Sequence, residues 1–459
     1  MDTRKKNTID MCHGPLFSKI VLFAIPVILS GILQLLFNAA DMVVLGHYAP
    51  PTAMAAVGAS GVIVGLIINL FMGLSIGANV VVANCIGAGD RKNTSRAVHT
   101  TVALAMIGGT ALGIIGLLIT KFMLQLAATP AEVMPKAALY LRIYCCGIPA
   151  IVIFNFGAAI LRAMGDTRNP LIYLTLSGVV NVLLNLFFIL VFGMDVGGVA
   201  LATTISQIIS ALMILRKLLS LRDACRLKWS NLHIDWTLLR KTLWIGLPAG
   251  IQSTIFTISN FTIQSSINSL GAAAMAGSAA TQTIEGMIYA ASYSLHQTVI
   301  SFIGQHVGAQ KYHRIKKIIF YCMICAAGVN LFLSYTSILF GEQLLAIVNP
   351  NQEVIEWGLQ RMKVCFSTYA LCAVMDVITG SLRGLGHSIL PAIVTLLGTC
   401  GLRILWVIYV FPHYRTFTSL LLCYPLSWLF AICVNGVLLY VICKKPFAQN
   451  RYGTLSPSR

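Results

Sequence analysis

Asp41 follows Gln34 and Asn38 at a spacing of i, i+4 and i+7 in an otherwise apolar stretch, so the three share one helical face. Further along, Ser177, Asn181 and Asn185 lie four residues apart, and Thr203 precedes Gln207 by four. One carboxylate among amide and hydroxyl oxygens suits a hard cation, which prefers oxygen ligands. The same carboxylate, desolvated, can instead carry a proton. Either chemistry makes an ion site. The purely architectural use of such amides is hydrogen bonding between helices.

A second polar set lies in the other half of the chain. Ser253, Thr257, Asn260 and Gln264 share a face. Gln282, Glu285, Tyr289 and His296 form roughly one stripe, and Asp376 stands alone in a later apolar stretch. Glu285 and Asp376 could attract a cationic substrate or transfer a proton; Arg403 offers a plain ion-pair partner for one of them. Polar residues at membrane depth are costly, which makes each a candidate for function. The candidate cavity residues are Gln34, Asn38, Asn260, Gln282, Glu285 and Asp376. Pro26 and Pro248 fall inside apolar stretches, where proline removes a helical hydrogen bond and kinks the helix.

The elements that hold these residues are membrane helices. The chain of 459 residues is 57% hydrophobic and 10% charged. A soluble domain carries about 25% charged residues. Twelve apolar stretches can be counted: 16–40, 53–84, 97–120, 137–160, 170–193, 197–219, 242–268, 274–303, 317–340, 357–380, 388–411 and 417–443. Each approaches or exceeds the ~20 residues a spanning helix needs. The expected fold is therefore an all-α polytopic membrane protein with twelve transmembrane helices.

The chain is also duplicated. A shift of 221 carries LRAMGD (Leu161 to Asp166) onto LRGLGH (Leu382 to His387), Pro170 onto Pro391, and Met54 onto Met275. A shift of 222 carries Pro26 onto Pro248. The expected domains are a six-helix lobe over 1–219, a linker over 220–240, a second six-helix lobe over 241–445 and a tail over 446–459. An even number of helices per lobe gives both lobes the same sense in the membrane. Such repeats move solutes by rocking one half against the other.

The net charge of +18 is an orientation signal rather than a nucleic-acid footprint. With the N-terminus inside, 25 Lys and Arg fall on the inner side and 6 on the outer, counting helix ends. That asymmetry places both termini in the cytoplasm. No nucleic-acid-binding module accompanies the charge, and no GxxxxGK[ST] occurs for direct ATP-driven pumping. Gly73 to Gly77 fits G-x-S-x-G, yet it lies in an apolar helix without the strand-turn-helix elbow that motif requires. Gly58-Ala59-Ser60-Gly61 likewise reads as helix packing rather than a protease motif, so no enzyme is expected. The 13 Cys contain no CxxC pair and suggest neither disulfides nor a zinc site.

Several segments in order resemble the MATE family, the multidrug and toxic compound extrusion transporters. They are IPVILSGILQLLFNAADMVVLGHY, FMGLSIGANVVVANCIGAGD, FNFGAAILRAMGDTRNPL, GVALATTISQ, FIGQHVGAQKYHRIKK and GSLRGLGHSILP. The resemblance implies a two-lobed fold and cation-coupled antiport, with organic, cationic drugs exported by alternating access. It places the family's coupling carboxylate on Asp41, its helix 1 proline on Pro26, and its polar N-lobe positions on Asn181, Asn185 and Thr203. Many relatives have Asp where this chain has Asn185, and Phe256 stands near an acidic position on helix 7. Glu285 matches an acid on helix 8 of some bacterial relatives. The missing second carboxylate favours H⁺ over Na⁺, while leaving Na⁺ at Asp41 open. A monomer in a bacterial inner membrane, with no cofactor, is what the family implies. The alternative is a flippase for lipid-linked oligosaccharide or an exporter of another amphipathic metabolite. A flippase calls for a strongly cationic central cavity, and the sequence places few Arg or Lys there.

Overall fold

The computed structural model describes residues 8–127 and 129–444. The tail expected over 446–459, and the basic residues Arg4, Lys5 and Lys6, lie outside them. The described residues are nearly all helical, in two lobes of six long helices. The first lobe holds α1 (Leu16–Tyr48), α2 (Pro51–Gly87), α3 (Arg91–Leu126), α4 (Met134–Ala163), α5 (Arg168–Leu190) and α6 (Val196–Ser220). The second holds α7 (Trp236–Asn268), α8 (Ala272–Gly308), α9 (Tyr312–Leu339), α10 (Gln352–Gly384), α11 (Ile389–Val410) and α12 (Phe417–Lys444). A short helix, Gly341–Val348, joins α9 to α10.

Ten of these are long and apolar enough to cross a membrane. The sequence suggested twelve, and the two that fall short are α7 and α8. Both have the length, at 33 and 37 residues, but their polar rows dilute the apolar surface. These two helices meet the opposite lobe: α2 packs against α7 and α8, and α1 packs against α8. A helix that faces another lobe need not match the apolarity of lipid.

Glycines set how closely the lobes approach. A Cβ at Gly73 would fall into the backbone of Gly250, and one at Gly77 into the carbonyl of Thr242. The segment resembling a hydrolase elbow is thus the crossing of α2 and α7, and Ser75 donates only to the Met72 carbonyl of its own helix at 2.7 Å. At the end of the bundle that bears the N-terminus, a Cβ at Gly87 would meet the Gln305 carbonyl, and one at Gly308 the Asn84 carbonyl. These two contacts are related by the 221-residue repeat, so the duplication appears here as a pseudo-symmetric clasp between α2 and α8. Asn79 and Ser301, 222 residues apart, hydrogen-bond each other at 3.1 Å beside it.

Helix α1 is shared between the lobes. Before Pro26, its Leu16, Ile20, Phe23 and Ala24 pack with Leu295, Val299 and Phe302 of α8 and with α9. Near its other end, Val44 and Leu45 belong to the core of the first lobe. The hold of the second lobe runs on past Pro26: Val27 and Ile28 pack on the same core, and a Cβ at Gly31 would meet Ala290 of α8. Pro248 occupies the corresponding place inside α7. All 13 cysteines are free.

Candidate functional site

Each lobe buries a polar cluster. In the first, α1 lies on α5 and α5 on α6. The approach of α1 to α5 depends on Gly178, where a Cβ would fall into the ring of Phe37. Further along both helices the four-residue spacing brings Asn181 and Asn185 to the same face, toward Asp41. Asn185 Nδ2 donates to Asp41 Oδ1 at 2.5 Å and to Asn181 Oδ1 at 3.3 Å. Asn181 Nδ2 donates to Thr203 Oγ1 at 3.3 Å, and Thr203 also hydrogen-bonds the Asp41 carboxylate. Asp41, Asn181, Asn185 and Thr203 thus form one connected row across three helices.

One atom of the row is unsatisfied. Asn185 is fully buried, and its Oδ1 has no hydrogen-bond partner. An orphaned buried acceptor costs about 1–3 kcal/mol. It is an oxygen free to accept a hydrogen bond or to ligate a hard cation, which prefers such ligands. Gln34 and Asn38 share the Asp41 face of α1 but are exposed, and their side chains join no hydrogen bond of the row. Ser177 turns to its own helix, donating to Leu174 O at 3.0 Å.

The second lobe departs from the sequence expectation. Arg403 pairs with neither Glu285 nor Asp376. Glu285 Oε2 instead accepts from Arg361 Nη2 at 2.8 Å, and Arg361 Nη1 donates to Ser278 at 2.8 Å. Arg361, one of the six basic residues that the sequence assigns to the outer side, is 2% exposed and lies inside the lobe. Arg403 is also fully buried. It donates to Asn260 Oδ1 at 3.1 Å and to Ser427 at 3.0 Å. It lies over the rings of Tyr424 (4.4 Å) and Phe256 (5.0 Å). Phe256 is thus a cation–π partner of Arg403.

Asp376 has no ion pair within 4.0 Å among the described residues, and its Oδ2 is buried without a hydrogen-bond partner. Its backbone carbonyl accepts from His296 Nδ1 at 2.7 Å. Arg383 Nη1 meets His296 Nε2 at 3.1 Å, and Arg383 Nη2 donates to Gln252 at 2.8 Å. Arginine can only donate, so Nε2 accepts and Nδ1 carries the proton: His296 is a neutral imidazole. Gln282, exposed on α8, donates to Gln264 of α7 at 2.9 Å.

Sequence reasoning missed Arg361, Arg383 and Asn69. Arg383 lies in the last turn of α10, and its place in the repeated L-R-x-x-G signature, opposite Arg162, is the sequence signal that points to it. Arg361, Arg383 and Arg403 are all buried in the second lobe. Asn69 of α2 donates to Thr257 of α7 at 3.3 Å and bridges the lobes.

Residues 26–187 and 248–408 match the MatE family, one match in each lobe. The chain is 26% identical over 399 residues to the probable multidrug resistance protein YpnP of Bacillus subtilis (strain 168), covering 86% of this chain and 88% of that one. It is 26% identical over 392 residues to the probable multidrug resistance protein NorM of Thermotoga maritima, covering 84% of each. Among solved structures, an outward-facing multidrug resistance MATE family transporter of the MOP superfamily superposes with a TM-score of 0.87 at 22% identity. That likeness covers 95% of this chain and 98% of the other, and it shows a shared fold.

Proposed function

Since this chain belongs to the MATE (multidrug and toxic compound extrusion) family, whose members are membrane transporters and not enzymes, we propose that it exports organic, cationic compounds in exchange for an inward-moving cation. Relatives named as multidrug resistance proteins support drug efflux. The reading places the chain in a bacterial inner membrane as a monomer with both termini cytoplasmic, because the basic residues gather on that side.

The observation that carries the coupling role is the row Asp41–Asn185–Asn181–Thr203 with its orphaned Asn185 Oδ1. It offers one ionisable group and several oxygens at membrane depth, and H⁺ and Na⁺ both fit it. The row holds the outer part of α1 to the first lobe, while the second lobe holds the part from Leu16 through Pro26 to Gly31. Filling the site at Asp41 changes the hydrogen bonds of the outer half. A proline kink is where α1 can respond without losing a backbone hydrogen bond it never had. The cycle then runs as follows: an outward-open cleft takes the ion at Asp41, α1 bends, the compound leaves outward, and the inward-facing form sheds the ion and reloads.

Liposomes containing the protein, with ethidium efflux followed under an imposed pH gradient and then a Na⁺ gradient, test this. Wild type should transport under one gradient, which identifies the ion, and Asp41→Asn should abolish that transport. Full transport by Asp41→Asn would refute the coupling role. The second reading, a flippase for lipid-linked oligosaccharide, gains one observation from the three buried arginines of the second lobe. Absence of dye movement under either gradient would turn the assignment toward it.

A further inference from the structure

We propose that Arg403, with Asn260 and Ser427, receives the acidic group of an organic substrate, a carboxylate or a phosphate, in the second lobe; this deepens the reading of the chain as an exporter and rests on it. The cluster around Tyr424 holds two guanidinium groups, Arg361 and Arg403, on one ring at 5.6 and 4.4 Å. Only Arg361 has a carboxylate within reach, Glu285 at 2.8 Å. Arg403 is 1% exposed, has no acidic partner within 4.0 Å among the described residues, and its Nη2 has no hydrogen-bond partner. Its ring contacts and its bonds to Asn260 and Ser427 leave the guanidinium without a carboxylate in direct contact. Such a charge at membrane depth is expensive, and its retention points to a ligand that completes it.

Two independent features place this guanidinium where a ligand can reach it. First, α11 widens into π-helical turns on both sides of Arg403, at Leu396–Gly401 and at Trp406–Val410. π-bulges of this kind recur at functional sites. Second, Asn260, which accepts from Arg403, lies on the α7 face that borders the cleft. On that face Thr257 is bridged to Asn69 of the first lobe, and Gln264 to Gln282 of α8. Beyond the bridge the lobes part: a Cβ at Gly58, Gly61 or Gly65 of α2 would meet nothing within 4 Å. Arg403 therefore stands one side chain behind the cleft wall. A guanidinium binds carboxylate or phosphate through paired N–H donors, and Phe256 and Tyr424 supply aromatic surface for the rest of the molecule. A zwitterion or an organic acid fits this cluster, in addition to the cations expected from the family.

The test compares two dyes that differ in one group. Rhodamine 123 is the methyl ester, a cation; rhodamine 110 is the free acid, a zwitterion. Both are followed in liposomes under the gradient that drives wild type. Wild type should move both. Arg403→Gln should lose rhodamine 110 transport by about thirtyfold or more, the usual consequence of removing one partner of a buried charge pair, and keep rhodamine 123. Loss of both dyes equally, or wild type moving rhodamine 123 alone, would overturn the proposal and leave the exporter reading intact. If wild type moves neither dye, this proposal is overturned, and ethidium efflux decides the exporter reading separately: that reading stands if ethidium moves and fails if it does not. Should Arg403→Gln not fold, wild-type protein alone decides: benzoate or phenyl phosphate should displace bound rhodamine 110 where benzamide does not, and the stronger of the two names the group. Equal displacement by benzamide would overturn the proposal.

Discussion

Asn185 occupies the place where many relatives carry a second carboxylate, and its surroundings say what that change should do. Its Nδ2 touches Asp41 Oδ1 at 2.5 Å, so Asn185→Asp would set two carboxylates in contact. Two such groups cannot both ionise without a proton or a cation between them. The substitution should therefore lower the Na⁺ concentration needed for half-maximal dye efflux, and an unchanged Na⁺ response would remove Asn185 from the ion site. The faces were readable from the sequence, because spacings of four and seven residues fix a helical face whatever the neighbours are; that the two faces touch shows only in the packing. The partners in the second lobe were not. Glu285 and Arg361 lie 76 residues apart, and nothing in either local pattern says which helix faces which. Arg361 reads as a helix-end charge because it sits among polar residues in QRMKVC, and only packing shows that the helix runs on past it. The orphaned nitrogen of Arg403 is likewise a property of three dimensions, since it depends on there being no acceptor within hydrogen-bond reach.

Helix α1 shows how one element can join two events. The periodicity of its sequence marks it as a spanning helix, and Pro26 marks a kink, but its division between lobes appears only in the packing. Met11, Leu16, Ile20 and Phe23 pack in the core of the second lobe, whereas Val44 and Leu45 pack in that of the first. Pro26→Ala restores an N–H donor to the carbonyl of Leu22 and stiffens the junction. The folded bundle should tolerate it, because Ala is the best helix former and the lobes keep their own cores. Transport should fall while the thermal midpoint in detergent stays the same or rises. A variant that transports at the wild-type rate would show that α1 does not relay ion binding through Pro26. Helices α7 and α8 teach the complementary lesson: they are too polar to pass as spans by composition, and their polar rows are what the opposite lobe meets. The rule that spans are apolar describes lipid-facing helices, and it weakens where a bundle turns inward.

At the scale of the whole molecule, the two lobes are locked together at the end that bears the N-terminus and separate toward the other. The clasp is the pseudo-symmetric pair in which Gly87 lies on the Gln305 carbonyl and Gly308 on the Asn84 carbonyl. A strap covers it. Ile9 N donates to Gly165 O of the first lobe at 3.0 Å, and the Cys12 carbonyl accepts from Arg314 of the second at 2.7 Å. Cys12 itself is buried, with its Sγ directed at Gln305. For the transporter to face the other way this end must open, and Cys12 is a natural reporter of that opening. Both clasp contacts are against backbone carbonyls, which no side-chain rotation can relieve, so a methyl group must push α2 from α8. Overpacking of this kind costs about 1–3 kcal/mol, which is about 5- to 150-fold in a two-state equilibrium. Gly87→Ala and Gly308→Ala should each speed maleimide labelling of Cys12, located by peptide mass spectrometry, by a factor in that range. Gly58→Ala is the control, since a Cβ there meets nothing within 4 Å, and it should leave the labelling rate unchanged. Equal labelling in all three would mean that the glycine clasp does not hold this end closed. Acceleration in one clasp variant but not its repeat-related partner would mean that the two halves of the duplication no longer share the load.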